Sequence, residues 1–136
     1  MKHLVKVLVL HNNEIVVIEQ FRRSLNRRTI ELPGGNLNPG EDVVSAAKRE
    51  LREETGLVCG TLIGLGEYLN TNGTIKVNFF FTKDILEERE QQLDEDEDIL
   101  VQRHSVAEAF QYVHTGKWED VRLAMSLYIA RSKRLL

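Results

Sequence analysis

An α/β fold built on a mixed β-sheet is the class this chain predicts, on three observations. Segments of strand length rich in Val, Leu, Ile and Phe recur from the first residues onward. An Asn-Gly pair, Asn72-Gly73, separates two of them as a tight hairpin turn would. One stretch in the first half and two near the end carry helical periodicity with start and stop residues in place. With 136 residues, 42% hydrophobic and 29% charged, the sequence has the size and balance of a single domain over residues 1–136.

Taken in order, His3 to Leu10 and Glu14 to Glu19 predict two strands paired across the polar break His11-Asn12-Asn13. Gln20 to Arg28 is polar and holds four arginines in seven residues, Arg22, Arg23, Arg27 and Arg28. A solvated connecting loop is one reading of it. The other is that arginines here grip phosphate through forked hydrogen bonds, with Arg22 and Arg23 the better-fixed candidates because they follow a strand end. Thr29 to Leu32 predicts a short strand.

Val43 to Thr55 predicts a helix, preceded by the turn Pro39-Gly40, capped by Asp42 and stopped by Gly56. At about 100° per residue, Val44, Ala47 and Leu51 share the arc expected to be buried, while Lys48, Arg52 and Ser45 face water. Glu50, Glu53 and Glu54 fall on a third arc bordered by Val43, Ala46 and Ala47. A solvated acidic face is the ordinary meaning of helical glutamates. Crowded like charges at i,i+4 spacing are unfavourable, however, and a cation resolves the conflict. With oxygen donors alone, Mg²⁺ or Mn²⁺ fits better than zinc.

Thr61 to Leu69 and Thr74 to Lys83 predict a hairpin around Asn70-Thr71-Asn72-Gly73. Of Phe79, Phe80 and Phe81, two or more are expected in the core, and a ring at a pocket mouth could stack on a base. Leu86 to Asp98 is strongly charged, with Asp94 to Asp98 all acidic, and is expected to be mobile and solvated; it also suits a loop that swings a further carboxylate over a metal site. Ile99 to Arg103 predicts a last strand. Ser105 and Glu108 have capping-box spacing for a helix through His114, and Gly116 punctuates. Glu119 to Leu135 predicts a final helix with Val121, Ala124, Met125, Tyr128 and Ile129 at core spacing, and Trp118 before it is expected to pack. The four histidines show no metal-ligand spacing.

The net charge of -3 offers no general attraction to nucleic acid or anionic membranes, so an anionic substrate must be met locally. Cys59, in an expected turn, is the sole cysteine and cannot form an intramolecular disulfide. No signal-peptide pattern or membrane-length apolar run is present, and a soluble cytoplasmic protein is expected.

The stretch Gly35 to Leu57 resembles the Nudix hydrolase signature, G-x5-E-x7-R-E-U-x-E-E-x-G-U with U aliphatic. Gly35, Glu41, Arg49, Glu50, Leu51, Glu53, Glu54, Gly56 and Leu57 fill each fixed position. At average residue usage a chance match at a given start is rarer than about one in a hundred million, so the pattern is specific. The resemblance implies an α/β/α sandwich with a mixed sheet, and metal-dependent hydrolysis of a nucleoside diphosphate linked to X. It assigns Glu50, Glu53, Glu54 and the Gly35 carbonyl to the metal, and gives Arg49 the orienting of Glu53 through an i,i+4 pair. Glu41 is structural. The water-activating base is Glu50 or an acidic residue of the distant loop, Glu97 in first place and Glu95 next. Glu19-Gln20-Phe21-Arg22 followed by Ile30 to Gly35 resembles the subgroup that splits ADP-ribose and related nucleotide sugars. The chain departs from that subgroup in having no proline after Pro39 and no extra N-terminal region. The expected partner is therefore a nucleotide-derived small molecule, and a homodimer is a further expectation. The alternatives are a nucleoside triphosphate pyrophosphohydrolase, for which the 5′ end of an RNA is the one nucleic-acid substrate considered, and a nucleotide-binding regulator without turnover.

Overall fold

The computed structural model describes residues 1–136. Its large sheet is formed by β1 (Lys2–His11), β2 (Glu14–Arg22), β3 (Arg27–Glu31), β4 (Gly34–Asn36), β6 (Ile63–Leu69), β7 (Ile75–Thr82) and β9 (Ile99–Ser105). β5 (Leu57–Cys59) and β8 (Ile85–Glu88) make a separate two-stranded ribbon. The helices are α1 (Val43–Thr55), α2 (Val106–His114) and α3 (Val121–Ser132). The sheet is mixed, as predicted: β1 runs parallel to β7, and the remaining pairs are antiparallel.

Alternation along the central strands explains the layering. Leu4 and Leu8 of β1, with Val77, Phe79 and Phe81 of β7, face a core closed by Ala109 and Phe110 of α2 and Leu123, Leu127 and Ala130 of α3. Val5, Val7 and Val9, with Phe80, face the other side, where Ala46, Ala47 and Leu51 of α1 close a second core. A central strand covered on both faces has no need of polar alternation, so Leu4 to Leu10 of β1 reads as a continuous apolar run broken only by Lys6.

Several expectations change. Gln20 to Arg28 is not a long loop: β2 extends to Arg22 and β3 begins at Arg27, with Arg22 opposite Arg27. The buried side of α1 is rotated from the predicted one. Ala46, Ala47, Leu51 and Glu54 are buried while Val44 is 42% exposed, because the two small alanines let that side settle on the sheet. All three phenylalanines are core residues, so none offers a ring at a pocket mouth. Cys59 ends β5 and is buried, not in a turn. α3 starts two residues later than predicted, at Val121 after the N-cap Asp120, and buries Leu123, Ser126, Leu127 and Ala130; Val121 is 77% exposed. No helix is long and apolar enough to cross a membrane.

Candidate active site

The bounds of α1 agree with the sequence. The Asp42 carboxylate accepts from the Ser45 N–H at 2.8 Å, and Gly56 closes the helix at φ 79° with its N–H on the Arg52 carbonyl. Beside this helix lies a cavity of about 870 Å³ lined by 23 residues, 3 of them hydrophobic. Glu50, Glu53 and Glu54 of α1, Gly34 and Gly35 of β4, and Asp94 and Glu97 of the segment before β9 form its acidic wall.

Gly35 shows why the wall needs a residue without a side chain. A Cβ there would lie 2.6 Å from Glu50 Oε1 and 2.7 Å from its Cδ, so the carboxylate occupies the space that any other residue would fill. Glu54 is fixed by the neighbouring backbone, its Oε1 accepting from the Gly34 N–H at 2.6 Å. Arg49 organises the rest. Its NH1 donates to Glu50 at 3.0 Å and to Glu53 at 3.1 Å, while Nε and NH2 hold Glu41 at 2.9 and 3.0 Å and NH2 also reaches the Asn36 carbonyl. Glu41 accepts from the Asn38 N–H as well, which ties the turn before α1 to the helix.

The electrostatics follow from burial. Burial pushes the Glu54 carboxyl up to about 8; the Gly34 N–H and Lys6 oppose the shift, and Glu50 and Glu97 add to it. Glu50 is raised for the same first reason, against the pull of Arg49 and with the help of Glu53 and Glu97. Burial thus opposes ionisation of Glu50 and Glu54, a cation beside them would favour it, and every donor the wall offers is oxygen, the chemistry of a hard divalent ion. As they stand, no three of its acidic groups come together closely enough to hold a metal ion; Arg49 draws Glu50 and Glu53, and the Gly34 N–H draws Glu54.

The acidic segment is held at both ends. Gln91 Nε2 donates to the Glu54 carbonyl at 2.6 Å and the Ile99 carbonyl at 3.0 Å, and the Gln92 N–H donates to the Glu53 carbonyl at 2.8 Å. The bonds to Glu53 and Glu54 satisfy carbonyls that the end of α1 leaves open. At the far end Asp98 accepts from Arg28 at 2.8 Å. Between them Glu97 and Asp94 share two 3.0 Å bonds, from the Glu97 N–H to the Asp94 carbonyl and from the Asp94 N–H to Glu97 Oε1. Glu97 faces the cavity and Glu95 does not.

The four arginines divide differently from expectation. Arg22 lines the cavity, but its Nε and NH2 form a fork on Glu31 at 2.7 and 2.6 Å. Arg23 lies outside the cavity, beyond the end of β2. Arg27 pairs with Glu119, and Arg28 bridges Glu19 and Asp98. Burial alone would raise the Glu31 carboxyl, yet bonds from Arg22 and Thr29 and the nearby charges of Lys6 and Arg22 hold it at about 2.

Sequence reasoning missed Lys6, Glu31 and Asp120. Lys6 is 3% exposed and donates to the Leu32 carbonyl at 3.1 Å, with Glu31 Oε1 at 3.7 Å. Burial lowers its ammonium pKa against the pull of Glu31, Glu54 and Asp120. Burial raises Asp120, which Lys6 opposes. The signal was available: by period two, Lys6 shares a strand face with Leu4 and Leu8, where a charge is costly without a partner or a task.

A NUDIX domain model matches residues 1–125. The chain is 31% identical over 132 residues to an ADP-ribose pyrophosphatase of Bacillus subtilis (strain 168), covering 94% of this chain and 71% of that protein. It is 30% identical over 124 residues to a methanol dehydrogenase activator of Bacillus methanolicus, covering 89% and 67%. Among solved structures it resembles an ADP compounds hydrolase, with a TM-score of 0.84 at 22% identity over 96% of this chain and 71% of that one. A NUDIX hydrolase from Nitrosomonas europaea matches with a TM-score of 0.79 at 20% identity over 97% and 89%.

Proposed function

The chain belongs to the Nudix family and is a pyrophosphohydrolase, and from that premise we propose that it hydrolyses a nucleoside diphosphate linked to X, with ADP-ribose as substrate and AMP and ribose 5-phosphate as products. The observation that carries this reading is the acidic wall itself: three helix carboxylates and Glu97 gathered on one side of a polar cavity, with Gly35 opened to seat Glu50. The ADP-ribose pyrophosphatase of Bacillus subtilis, related along almost the whole chain, supports the choice of X.

In this reading Glu50, Glu53, Glu54 and the Gly35 carbonyl hold a divalent cation, magnesium, which when bound neutralises the diphosphate and acidifies the attacking water. Arg49 keeps Glu50 and Glu53 aimed at it and stays out of the chemistry, since its guanidinium is engaged on three carboxylates. Glu97 receives the proton of the attacking water. It projects from a segment anchored by Gln91 and Asp98, and its charge already bears on Glu50 and Glu54. Glu50 is the second candidate, less free because Arg49 and Gly35 pin it. Arg22 is the substrate-facing arginine and also positions Glu31; Arg23 takes no part.

The test is product identification from a nucleotide panel with Mg²⁺. AMP and ribose 5-phosphate from ADP-ribose support the reading. Release of pyrophosphate from nucleoside triphosphates with ADP-ribose untouched would replace it, and binding without turnover across the panel would remove it.

A further inference from the structure

Resting on that reading, we propose that Asp120 and Lys6 together seat a hydroxyl of the sugar X, Asp120 accepting its hydrogen bond and Lys6 donating to its oxygen, so that the pair determines which X the enzyme takes. Both residues line the cavity. Lys6 rises from the middle of β1 and Asp120 stands at the start of α3, so their positions are set by the sheet and a helix, not by a loop.

Each has hydrogen-bonding capacity to spare. The Lys6 ammonium carries three N–H groups and uses one at hydrogen-bond distance, on the Leu32 carbonyl; Glu31 Oε1, at 3.7 Å, is in ion-pair range only. The Asp120 oxygens accept only the long capping bonds from the Arg122 N–H at 3.4 Å and the Leu123 N–H at 3.3 Å, one to each oxygen. Lys6 and Asp120 sense each other's charge, but they do not join as an ion pair in the way that Lys6 and Glu31 do. A buried donor and a half-buried acceptor facing one cavity without closing on each other leave room for a group that both accepts and donates. A sugar hydroxyl does both.

Capping alone does not call for a carboxylate. Ser and Asn cap a helix about as well as Asp does. Nor does the anionic part of the substrate: a carboxylate in this cavity that is not among the groups assigned to the cation repels the diphosphate unless it faces the neutral, hydroxylated portion. Glu31 and Glu119, which also line the cavity, are already engaged, Glu31 by Arg22 and Thr29 and Glu119 by Arg27.

The experiment compares kcat/KM for ADP-ribose with kcat/KM for the methyl ester of ADP, in which X carries no hydroxyl, in the wild type and in Asp120→Asn, Asp120→Ser and Lys6→Met. Asn and Ser preserve the cap, and circular dichroism melting reports on folding. The ratio of ADP-ribose to methyl ester is expected to fall roughly 10- to 100-fold in Lys6→Met, as loss of a hydrogen bond to a charged group implies, and by a smaller factor in Asp120→Asn and Asp120→Ser, which keep a neutral acceptor. A parallel loss on both substrates, or no loss on either, overturns the assignment while leaving the ADP-ribose reading in place. A change confined to discrimination between adenine and hypoxanthine in the substrate also overturns it, because the pair would then read the base. Wild-type silence on both substrates defeats the underlying reading and this inference with it.

Discussion

Replacing Gly35 by alanine tests the geometry of the acidic wall at its tightest point. The new Cβ would stand 2.6 Å from Glu50 Oε1, 2.7 Å from Cδ and 2.9 Å from Oε2, so the whole carboxylate is in the way. To reach ordinary contact it must retreat by ~0.8 Å, and a misplacement near 1 Å in a catalytic constellation costs up to about 100-fold in rate. The fold should tolerate the change, because the obstacle is the end of a flexible side chain and not backbone. The expected result is a kcat for AMP release reduced roughly 10- to 100-fold, equivalent to about 1.4 to 2.7 kcal/mol of barrier, with melting nearly unchanged. Gly34→Ala is the contrasting control. Its Cβ would collide with the Val5 backbone carbonyl, so that variant should lose stability first. Wild-type kcat in Gly35→Ala would refute the idea that Glu50 must sit against the β4 turn.

Glu53→Gln and Glu54→Gln should each lower turnover by orders of magnitude while the fold persists, and retained activity in both would defeat the metal assignment. Glu54 adds a pH signature: its folded pKa of about 8 lies above the unfolded value near 4.5, so the metal-free protein should lose on the order of 5 kcal/mol as pH rises through that window. Glu54→Gln or added Mg²⁺ should flatten that slope in denaturant melts, and an unchanged slope would show that burial does not govern Glu54. Glu97→Gln should slow turnover far more than Glu95→Gln, since only Glu97 faces the cavity; the reverse order in steady-state assays would move the base by two residues. Arg22→Ala should raise KM and also destabilise by about 2 kcal/mol by stripping the buried Glu31 of its forked partner, whereas Arg23→Ala should leave KM and melting alone; equal effects would contradict the division of labour in β2. Glu31 itself, held at about 2, contributes stability that is present above pH 4.5 and lost as acid approaches pH 2.

The parts legible in the sequence were those written locally. The bounds of α1 and α2 follow from caps and stops within a few residues of each end, and the β6–β7 turn from Asn72-Gly73. Contacts between distant segments were not legible. Period alone put Val44 in the core, but the position of the sheet decides which arc of α1 is covered, and that arc includes Glu54. Four arginines in one short segment suggested a phosphate grip. Three of them instead hold Glu31, Glu119, Glu19 and Asp98, carboxylates 9 to 92 residues away from their arginines in the chain, whose proximity only the folded chain creates. The acidic run looked free to swing, yet Gln91, Gln92 and Arg28 tether it, through bonds to backbone carbonyls that no composition argument could place. Lys6 was open to detection from its strand face alone. Asp120 was hidden by a helix start misjudged by two residues, which turned a cap into an interior position.

The most direct test of the central claim is to incubate the protein with ADP-ribose and Mg²⁺ in ¹⁸O-labelled water and follow the products by phosphorus NMR and mass spectrometry. Hydrolysis of the diphosphate predicts AMP and ribose 5-phosphate in equal amounts, with one labelled oxygen on one of the two. Intact ADP-ribose under conditions where a nucleoside triphosphate yields pyrophosphate would contradict it.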